Sequence, residues 1–301
     1  MSSPDPAGAV SDERGPRTRL RQWRLPILLV AMLIMMIVAQ ELTVVLDGLG
    51  LLTLVVGVAA AALTLLCYAR LSKAVERRSS VDELSRGQAC SGLVWGSVIG
   101  GAAFVVTMLI ILAFGGWQMS GGDLWKFLAT IGIMATAAAT EEVVFRGIIF
   151  RIAEERFGTW AALAISAVLF GLVHLAGSTE AGAGAEIWGG ISIALQGGLL
   201  LGAAYVATRS LWLPIGVHFA WNLVEAGFGT AVSGKSSEFG GLVHTTLSGS
   251  TVLTGGSFGP EAGIAAILTC LVAAALMLRH AARHGRIVHR GDAPAPRAAL
   301  G

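Results

Sequence analysis

Residues 127–147 have the sequence FLATIGIMATAAATEEVVFRG and carry both the fold class and the candidate chemistry. Residues 127–140 carry no charge, and the next six positions contain three charged residues, Glu141, Glu142 and Arg146. A charge near the centre of a bilayer costs at least ~2.5 kcal/mol on insertion scales. On a helix Glu142 can pair with Arg146, whereas Glu141 points about 100° away and needs another partner. A charged helix end at the membrane surface is the alternative, because charges there are cheap.

The composition predicts a membrane protein. The chain is 54% hydrophobic and 13% charged with a mean hydropathy of +0.73, whereas soluble domains are roughly 25% charged. The three cysteines lie in or beside apolar segments without metal-ligand spacing, so we interpret them as packing residues. The first apolar segment is too long for a cleavable signal peptide. The lipid bilayer is the expected surroundings, and no nucleic-acid partner is expected.

Eight apolar windows have the length that a hydrocarbon core of ~30 Å requires. The predicted fold class is therefore an all-α polytopic membrane bundle with about eight transmembrane helices. The windows are 26–47, 49–69, 91–115, 125–150, 159–177, 186–208, 212–229 and 260–279.

The distribution of basic residues predicts the topology. With the N-terminus in the cytoplasm, nineteen of the 21 Lys and Arg residues fall in or beside cytoplasmic segments, and only Lys126 and Lys235 fall outside. Cytoplasmic loops of membrane proteins carry an excess of such residues. We therefore predict a multi-pass protein of the cytoplasmic membrane with both termini in the cytoplasm.

Composition also suggests a division of the chain into regions. The polar groups of interest all fall in one of them, which is the predicted catalytic core. The regions are a disordered basic tail (1–25), supporting helices (26–115), the catalytic core (125–229), an external loop rich in Gly, Ser and Thr (230–259), the last transmembrane helix (260–280) and a cytoplasmic tail (281–301).

Two further polar clusters follow in the core. Phe170 and His174 share one helix face, and His218 and Asn222 share another, since each pair is four residues apart. Each cluster alone is also compatible with a structural role, such as a polar contact between helices worth roughly 1 kcal/mol. A fourth stretch, residues 255–263 around Pro260, is interpreted as the start of a helix.

The three polar clusters are chemically complementary. A buried carboxylate can take a proton from water, a neutral imidazole can orient that water, and a His/Asn pair can stabilise an oxyanion. No serine, threonine or cysteine nucleophile is evident beside a base, which argues against an acyl-enzyme. The combination favours hydrolysis of a peptide bond by activated water.

These motifs resemble the CAAX protease and bacteriocin-processing (CPBP) intramembrane proteases, which include the type II CAAX prenyl endopeptidases. The resemblance covers about residues 125–229. The signature EExxxR, FxxxH and HxxxN occurs in order as Glu141-Glu142…Arg146, Phe170…His174 and His218…Asn222.

The resemblance implies a membrane-embedded glutamic endopeptidase. Glu141 and His174 would activate water, and His218 and Asn222 would form the oxyanion hole. The matching Glu142, Arg146 and Phe170 would support the site. The implied partner is a membrane-associated peptide or protein substrate.

Two alternatives remain open on cofactor and function. A zinc enzyme would use Glu141, His174 and His218 as ligands, but no HExxH motif is present, and we favour a mechanism without a metal or other cofactor. A membrane protein that binds a peptide without cutting it, such as an immunity protein, is the rival from another class, followed by a transporter.

Straight helices pose a problem of depth. His218 would lie about 9 Å from the cytoplasmic end of its span, while His174 would lie near the far end of its own. The two can meet only if the span of His174 extends past it, or if helices are tilted or broken.

Overall fold

The computed structural model describes residues 22–177, 182–235 and 241–291, and most of them are helical. This confirms the predicted all-α polytopic bundle. The helices are α1 (Arg24–Val45), α2 (Leu51–Glu76), α3 (Ala89–Phe114), α4 (Leu124–Glu142), α5 (Arg151–Phe157), α6 (Thr159–Gly177), α7 (Ala183–Ile193), α8 (Leu199–Thr208), α9 (Trp212–Gly227), α10 (Thr251–Thr254) and α11 (Ile264–Arg283). Two strands, β1 (Gly116–Gly121) and β2 (Val243–Ser248), complete the regular structure of the described residues, together with short 3₁₀ and π segments.

In the part of the chain that the structure describes, six helical segments are long and apolar enough to cross a membrane. They are Arg24–Val45, Leu51–Glu76, Arg86–Phe114, Leu124–Phe157, Ala183–Thr208 and Ile264–Arg283. A shorter apolar helix covers Thr159–Leu175, and α9 has 16 residues. The predicted regions at 159–177 and 212–229 are thus helical, while the number of eight spans stays a prediction.

The charged residues of several predicted cytoplasmic segments meet at one end of the bundle. Arg24, at the start of α1, pairs with Glu76 at the end of α2 and with Glu155 in α5. Arg151 also contacts Glu76, at 2.7 Å. Segments far apart in sequence therefore share one end, as the topology prediction requires of them.

A small β-sheet lies between segments that the sequence predicted to be loops. β1 and β2 pair antiparallel, from Gly116 opposite Ser248 to Gly121 opposite Val243. The second strand falls inside the predicted external loop 230–259, where we expected no regular structure. The backbone N–H and C=O groups beyond a helix end still need hydrogen-bond partners. The two connections supply them to each other by pairing as strands.

The first part of the predicted cytoplasmic tail 281–301 packs on the bundle. The carbonyl of Val288 accepts from the backbone N–H of Thr159 at 2.9 Å, and Arg209 donates to the carbonyl of Arg286. These contacts cap α6 and tie the tail to α8. Residues 292–301, and all but the last four residues of the predicted tail 1–25, lie outside the described part of the chain.

The helix that carries the EExxxR motif is longer than the predicted span 125–150. α4 continues through a π segment, Val143–Phe150, into α5, so one helical rod covers Leu124–Phe157. Arg146 lies eleven residues before its end and is fully buried. The motif is therefore not at a helix end, because the rod extends beyond it and the Glu142 and Arg146 side chains are buried in the bundle.

Glycines bring α4 close to α2. A Cβ at Gly57 would lie 2.3 Å from the carbonyl oxygen of Gly132, and one at Gly132 would lie 2.4 Å from the carbonyl oxygen of Thr53. The close approach lets the Thr136 hydroxyl donate to the carbonyl of Gly57 at 2.9 Å. This contact fixes the position of α4 and hence of the charges at its end.

Candidate active site

The centre of the site is a buried ion pair. Arg146 Nη1 donates to Glu142 Oε1 at 2.9 Å, and both side chains are fully buried. Their spacing of one helical turn predicted this pairing. Arg146 Nη2 donates across the bundle to the carbonyls of Gly197 and Gly198, at 3.2 and 3.1 Å. The arginine thus ties α4 to the helix of residues 183–208.

Both ends of this connection lie in π segments. Arg146 is in Val143–Phe150, and its carbonyl acceptors are in a second π segment, Ala194–Gly198. A π turn interrupts the regular bonding of an α-helix and is found mostly at functional sites. Gly198 is required here because a Cβ would lie 2.7 Å from the Cα of Ala167 in α6.

Phe170 holds the arginine from the side of α6. Its ring centroid lies 4.6 Å from Arg146 Cζ, which is a cation–π contact. The ring also packs edge-on against Phe145 and against His218, with centroids 4.9 and 5.9 Å apart. The predicted supporting residues Glu142, Arg146 and Phe170 therefore form one contiguous layer.

His218 bridges the two glutamates. Its Nδ1 lies 3.0 Å from Glu142 Oε1, and its Nε2 lies 3.8 Å from Glu141 Oε2. Because Glu142 also accepts from Arg146, its carboxylate acts as an acceptor and His218 Nδ1 carries a proton. The imidazole is thus oriented by Glu142 and presents Nε2 to Glu141.

His174 lies at the same distance from this carboxylate oxygen as His218 does. Its Nε2 lies 3.8 Å from Glu141 Oε2, and its Nδ1 lies 2.8 Å from the carbonyl oxygen of Phe170. A carbonyl only accepts, so Nδ1 is the donor, and in the neutral ring Nε2 is left as an acceptor. Glu141 Oε2 itself is buried and has no hydrogen-bond partner among the described residues.

The connection between α2 and α3, residues 77–88, explains through its buried Glu83 how His174 and His218 meet in depth. Before α9 the backbone N–H of Leu211 donates to the carbonyl of Glu83, and the hydroxyl of Tyr68 bonds both Glu83 Oε1 and the carbonyl of Gly147. The start of α9 is therefore level with Gly147, and not with the end of the rod at Phe157. His218 is seven residues beyond Leu211 and Glu141 six before Gly147, which is ~10 and ~9 Å along their helices.

Arg78 and Arg151 hold this loop in place. Glu83 pairs with Arg78 and lies 3.7 Å from Arg151 Nε. Burial by itself would raise the pKa of Glu83, but the hydrogen bond and charge of Arg78, followed by Arg151 and Tyr68, lower this pKa below its ordinary value. The loop is thus anchored by an ionised carboxylate.

Two cavities meet at the site. One of about 30 Å³ is lined by His174, His218 and Asn222, among others. The other, of about 230 Å³, is lined by Glu141, His174 and Asn222 and extends between α1, α4 and α6 to residues 232–235. The smaller cavity has room for water, and the few polar groups in its mostly apolar wall can bind it.

Several polar residues of the site were missed or given another role from the sequence. Gln40 of α1 lines the larger cavity and donates to Glu141 Oε1 at 3.1 Å. Gln196 and Glu261 line the smaller cavity, and Gln196 Nε2 donates to the carbonyl of Glu261. The available signal was a lone amide in each of two apolar windows.

Glu261 also corrects the expectation for residues 255–263. Pro260 begins a 3₁₀ turn, and α11 starts only at Ile264. The Glu261 carboxylate accepts from Trp221 Nε1 at 3.0 Å and from the backbone N–H of Ser233 at 2.7 Å. The stretch therefore joins α9 and the loop at Ser233, and does not only start a helix.

A metal site would need three or more ligand side chains close together. Within residues 22–177, 182–235 and 241–291, no three His, Cys, Asp or Glu side chains are arranged to hold a metal ion. The three cysteines in this part of the chain are free thiols. A mechanism without a metal stays a prediction that experiment must test.

The fold and the site together define a polytopic helical membrane protein with glutamates, histidines and an arginine buried in its core. Residues 123–224, about a third of the chain, match the family described as type II CAAX prenyl endopeptidase Rce1-like. This match confirms the resemblance that the motifs indicated. It supports a protease or other hydrolase. No curated protein and no solved structure matches the chain.

Proposed function

We propose that this protein is an intramembrane endopeptidase that hydrolyses a peptide bond with water activated by Glu141 and His174. The observation that carries the proposal is the environment of Glu141 Oε2. This oxygen lies 3.8 Å from Nε2 of both His174 and His218, at cavities that could admit water and a peptide. A buried carboxylate oxygen without a protein partner is suited to a water molecule.

The proposed reaction begins with proton transfer from water to Glu141. His174 Nε2 accepts the second hydrogen bond of that water and orients it. The water oxygen then attacks the carbonyl carbon of the substrate. When the carbon–nitrogen bond breaks, Glu141 returns the proton to the leaving nitrogen, so that water and amide give one acid and one amine.

The negative charge that develops on the substrate carbonyl needs donors. Asn222 supplies an amide N–H, and His218 supplies Nε2–H in its doubly protonated form, which the carboxylate of Glu142 compensates. Both residues line the smaller cavity together with His174. The proposed oxyanion site is therefore in the smaller cavity, beside the base.

The proposed substrate is a membrane-associated peptide or protein. The related family is named for prenylated CAAX substrates, and a prenylated peptide is the first probe to use. The cavity of about 230 Å³ between α1 and α6 would admit the peptide. A protein that only bound a peptide would have no need of Glu141 Oε2 beside two histidines.

The test compares the membrane proteomes of cells that contain the wild-type protein or Glu141→Gln. Glutamine keeps the size of the side chain and removes the base. We expect an uncut precursor to accumulate with Glu141→Gln and its product to be lost. Identical proteomes from the two strains would contradict the proposal.

A further inference from the structure

Gln40 lies outside the Rce1-like segment, on the first helix of the bundle, yet it contacts the proposed base directly. Its Nε2 donates to Glu141 Oε1 at 3.1 Å and lies 3.3 Å from the hydroxyl of Thr140. We propose that Gln40 is a positioning residue that holds Glu141 in its reactive orientation. This proposal rests on the proposed function of Glu141 as the base.

The neighbours of Gln40 determine which atom of its amide faces the site. A carboxylate only accepts hydrogen bonds. The Thr140 hydroxyl lies 2.8 Å from the carbonyl of Thr136 and donates there, so it too is an acceptor toward Gln40. The amide group facing both oxygens must therefore be the NH₂ group, whose two hydrogens match the two acceptors.

The hydrogen bond from Gln40 gives the two carboxylate oxygens of Glu141 different surroundings. Oε1 is held by Gln40, which leaves Oε2 toward His174 and His218. The terminal torsion of a glutamate is broad, so a carboxylate without such a donor samples many orientations. A base must lie within hydrogen-bond reach of the proton that it takes, and an anchored oxygen keeps it there.

The backbone around Gln40 is also fixed. The hydroxyl of Thr43 donates to the carbonyl of Gln40 at 2.8 Å, and Met36, one turn earlier, is buried. Both residues line the larger cavity together with Gln40. The region of residues 26–115 is therefore more than a support, since it places a polar side chain in the site.

The experiment measures kcat and KM of purified Gln40→Leu and Gln40→Glu on a fluorogenic peptide that spans the cleavage site of the accumulated precursor. Leucine removes the donor at similar size. Glutamate keeps the shape and replaces the NH₂ donor with a second carboxylate beside Glu141. Gln118→Leu, the same change on the exposed strand β1, is the matched control.

We expect kcat of Gln40→Leu to fall about 10- to 100-fold with KM within about twofold, because hydrogen bonds to charged groups are worth this factor. Gln40→Glu should be slower still at neutral pH and should recover partly at lower pH, where a protonated carboxyl can donate. Gln118→Leu should keep the wild-type kcat and KM. Thermal unfolding in detergent shows whether each variant is folded.

The role of Gln40 would be refuted if Gln40→Leu kept the wild-type kcat, whether or not its KM changed. It would also be refuted if Gln40→Glu had the same kcat and KM as the wild type. If Gln40→Leu failed to fold, the nearly isosteric Gln40→Glu decides the question by its rate and pH profile. Glu141→Gln in the same assay separates the two proposals. An active Glu141→Gln refutes the function, whereas an inactive one beside a normal Gln40→Leu refutes only the positioning role.

Discussion

Arg146 has all of its identified partners inside the bundle. It bonds Glu142 and two backbone carbonyls, and lies over the ring of Phe170. Glu142 in turn bonds His218. Arg146, Glu142 and His218 are all buried, so the charge of each is stabilised by the neighbouring side chain and not by water. Loss of the Arg146 charge therefore affects all three.

Arg146→Ala should destabilise the protein strongly. Removing Arg146 breaks the buried ion pair with Glu142 and leaves that carboxylate with its contact to His218, and breaking a buried pair typically costs ~3–5 kcal/mol. We expect a lower thermal unfolding temperature in detergent, and partial recovery in the double variant Arg146→Ala, Glu142→Gln. Arg156→Ala, which removes an exposed arginine from the same helical rod, is the control. Equal unfolding temperatures for Arg146→Ala and the wild type would contradict this account.

At the scale of single residues, the sequence predicted local relations well. Glu142 and Arg146 are four residues apart and must lie near each other on any helix. The partner of Glu141 could not be found in this way, because Gln40 is about a hundred positions away. Which helix lies beside α4 depends on the packing of the complete bundle.

At the scale of elements, small residues set the distance between helices. α2 and α4 touch through Gly57 and Gly132, where a Cβ would overlap the backbone of the other helix. Backbone atoms cannot rotate out of the way as a side chain can. Substitution at this contact must therefore move α4, which carries Glu141.

Gly57→Ala should destabilise the protein by about 1–3 kcal/mol, the usual cost of overpacking. The matched control is Gly184→Ala in the first turn of α7, where a Cβ would meet no atom within 4 Å. In thermal unfolding experiments, the control should equal or slightly exceed the wild type. A neutral Gly57→Ala would show that α2 and α4 are not in close contact.

The loop that sets the depth of α9 should make stability depend on pH. The pKa of Glu83 is lowered in the folded protein, so its contribution is complete above the unfolded pKa near 4.5 and is lost as the pH falls through the folded pKa. The stability difference between wild type and Glu83→Gln should therefore shrink in acid. A difference independent of pH between 7 and 3 would contradict the assignment.

This loop also shows what the sequence could not predict. The pattern of apolar residues marks where a helix is, but not how far an adjoining loop enters the bundle. His174 and His218 seemed to lie at different depths because α9 was assumed to begin at the membrane surface. Burial of Glu83 by Tyr68, Arg78 and Arg151 moves that starting point inward.

At the scale of the whole molecule, the two ends of the bundle differ in their contacts. The contacts of Arg24, Arg151 and Arg209 with Glu76, Glu154 and Glu155 lie at one end. β1 and β2 pair in connections that the topology prediction assigns to the other side. Hydropathy and the basic residues predicted which segments share an end, because each apolar span carries the chain from one end of the bundle to the other.

Reporter fusions test the orientation in the membrane. Fusions after Arg86, Arg156, Arg209 and the C-terminus should report the cytoplasm, and fusions near Gly182 and Ser248 should report the outside. The reason is the excess of basic residues in the first set of segments. A C-terminus on the outside would contradict the prediction of eight spans.

The central claim is that Glu141 activates water for hydrolysis. The most direct measurement is single-turnover cleavage and binding of the precursor peptide by purified wild-type protein and Glu141→Gln, with and without EDTA. The account predicts that both proteins bind the peptide with similar Kd, that only the wild type cuts it, and that EDTA changes neither result. Cleavage by Glu141→Gln at the wild-type rate, or inactivation by EDTA that zinc reverses, would contradict it.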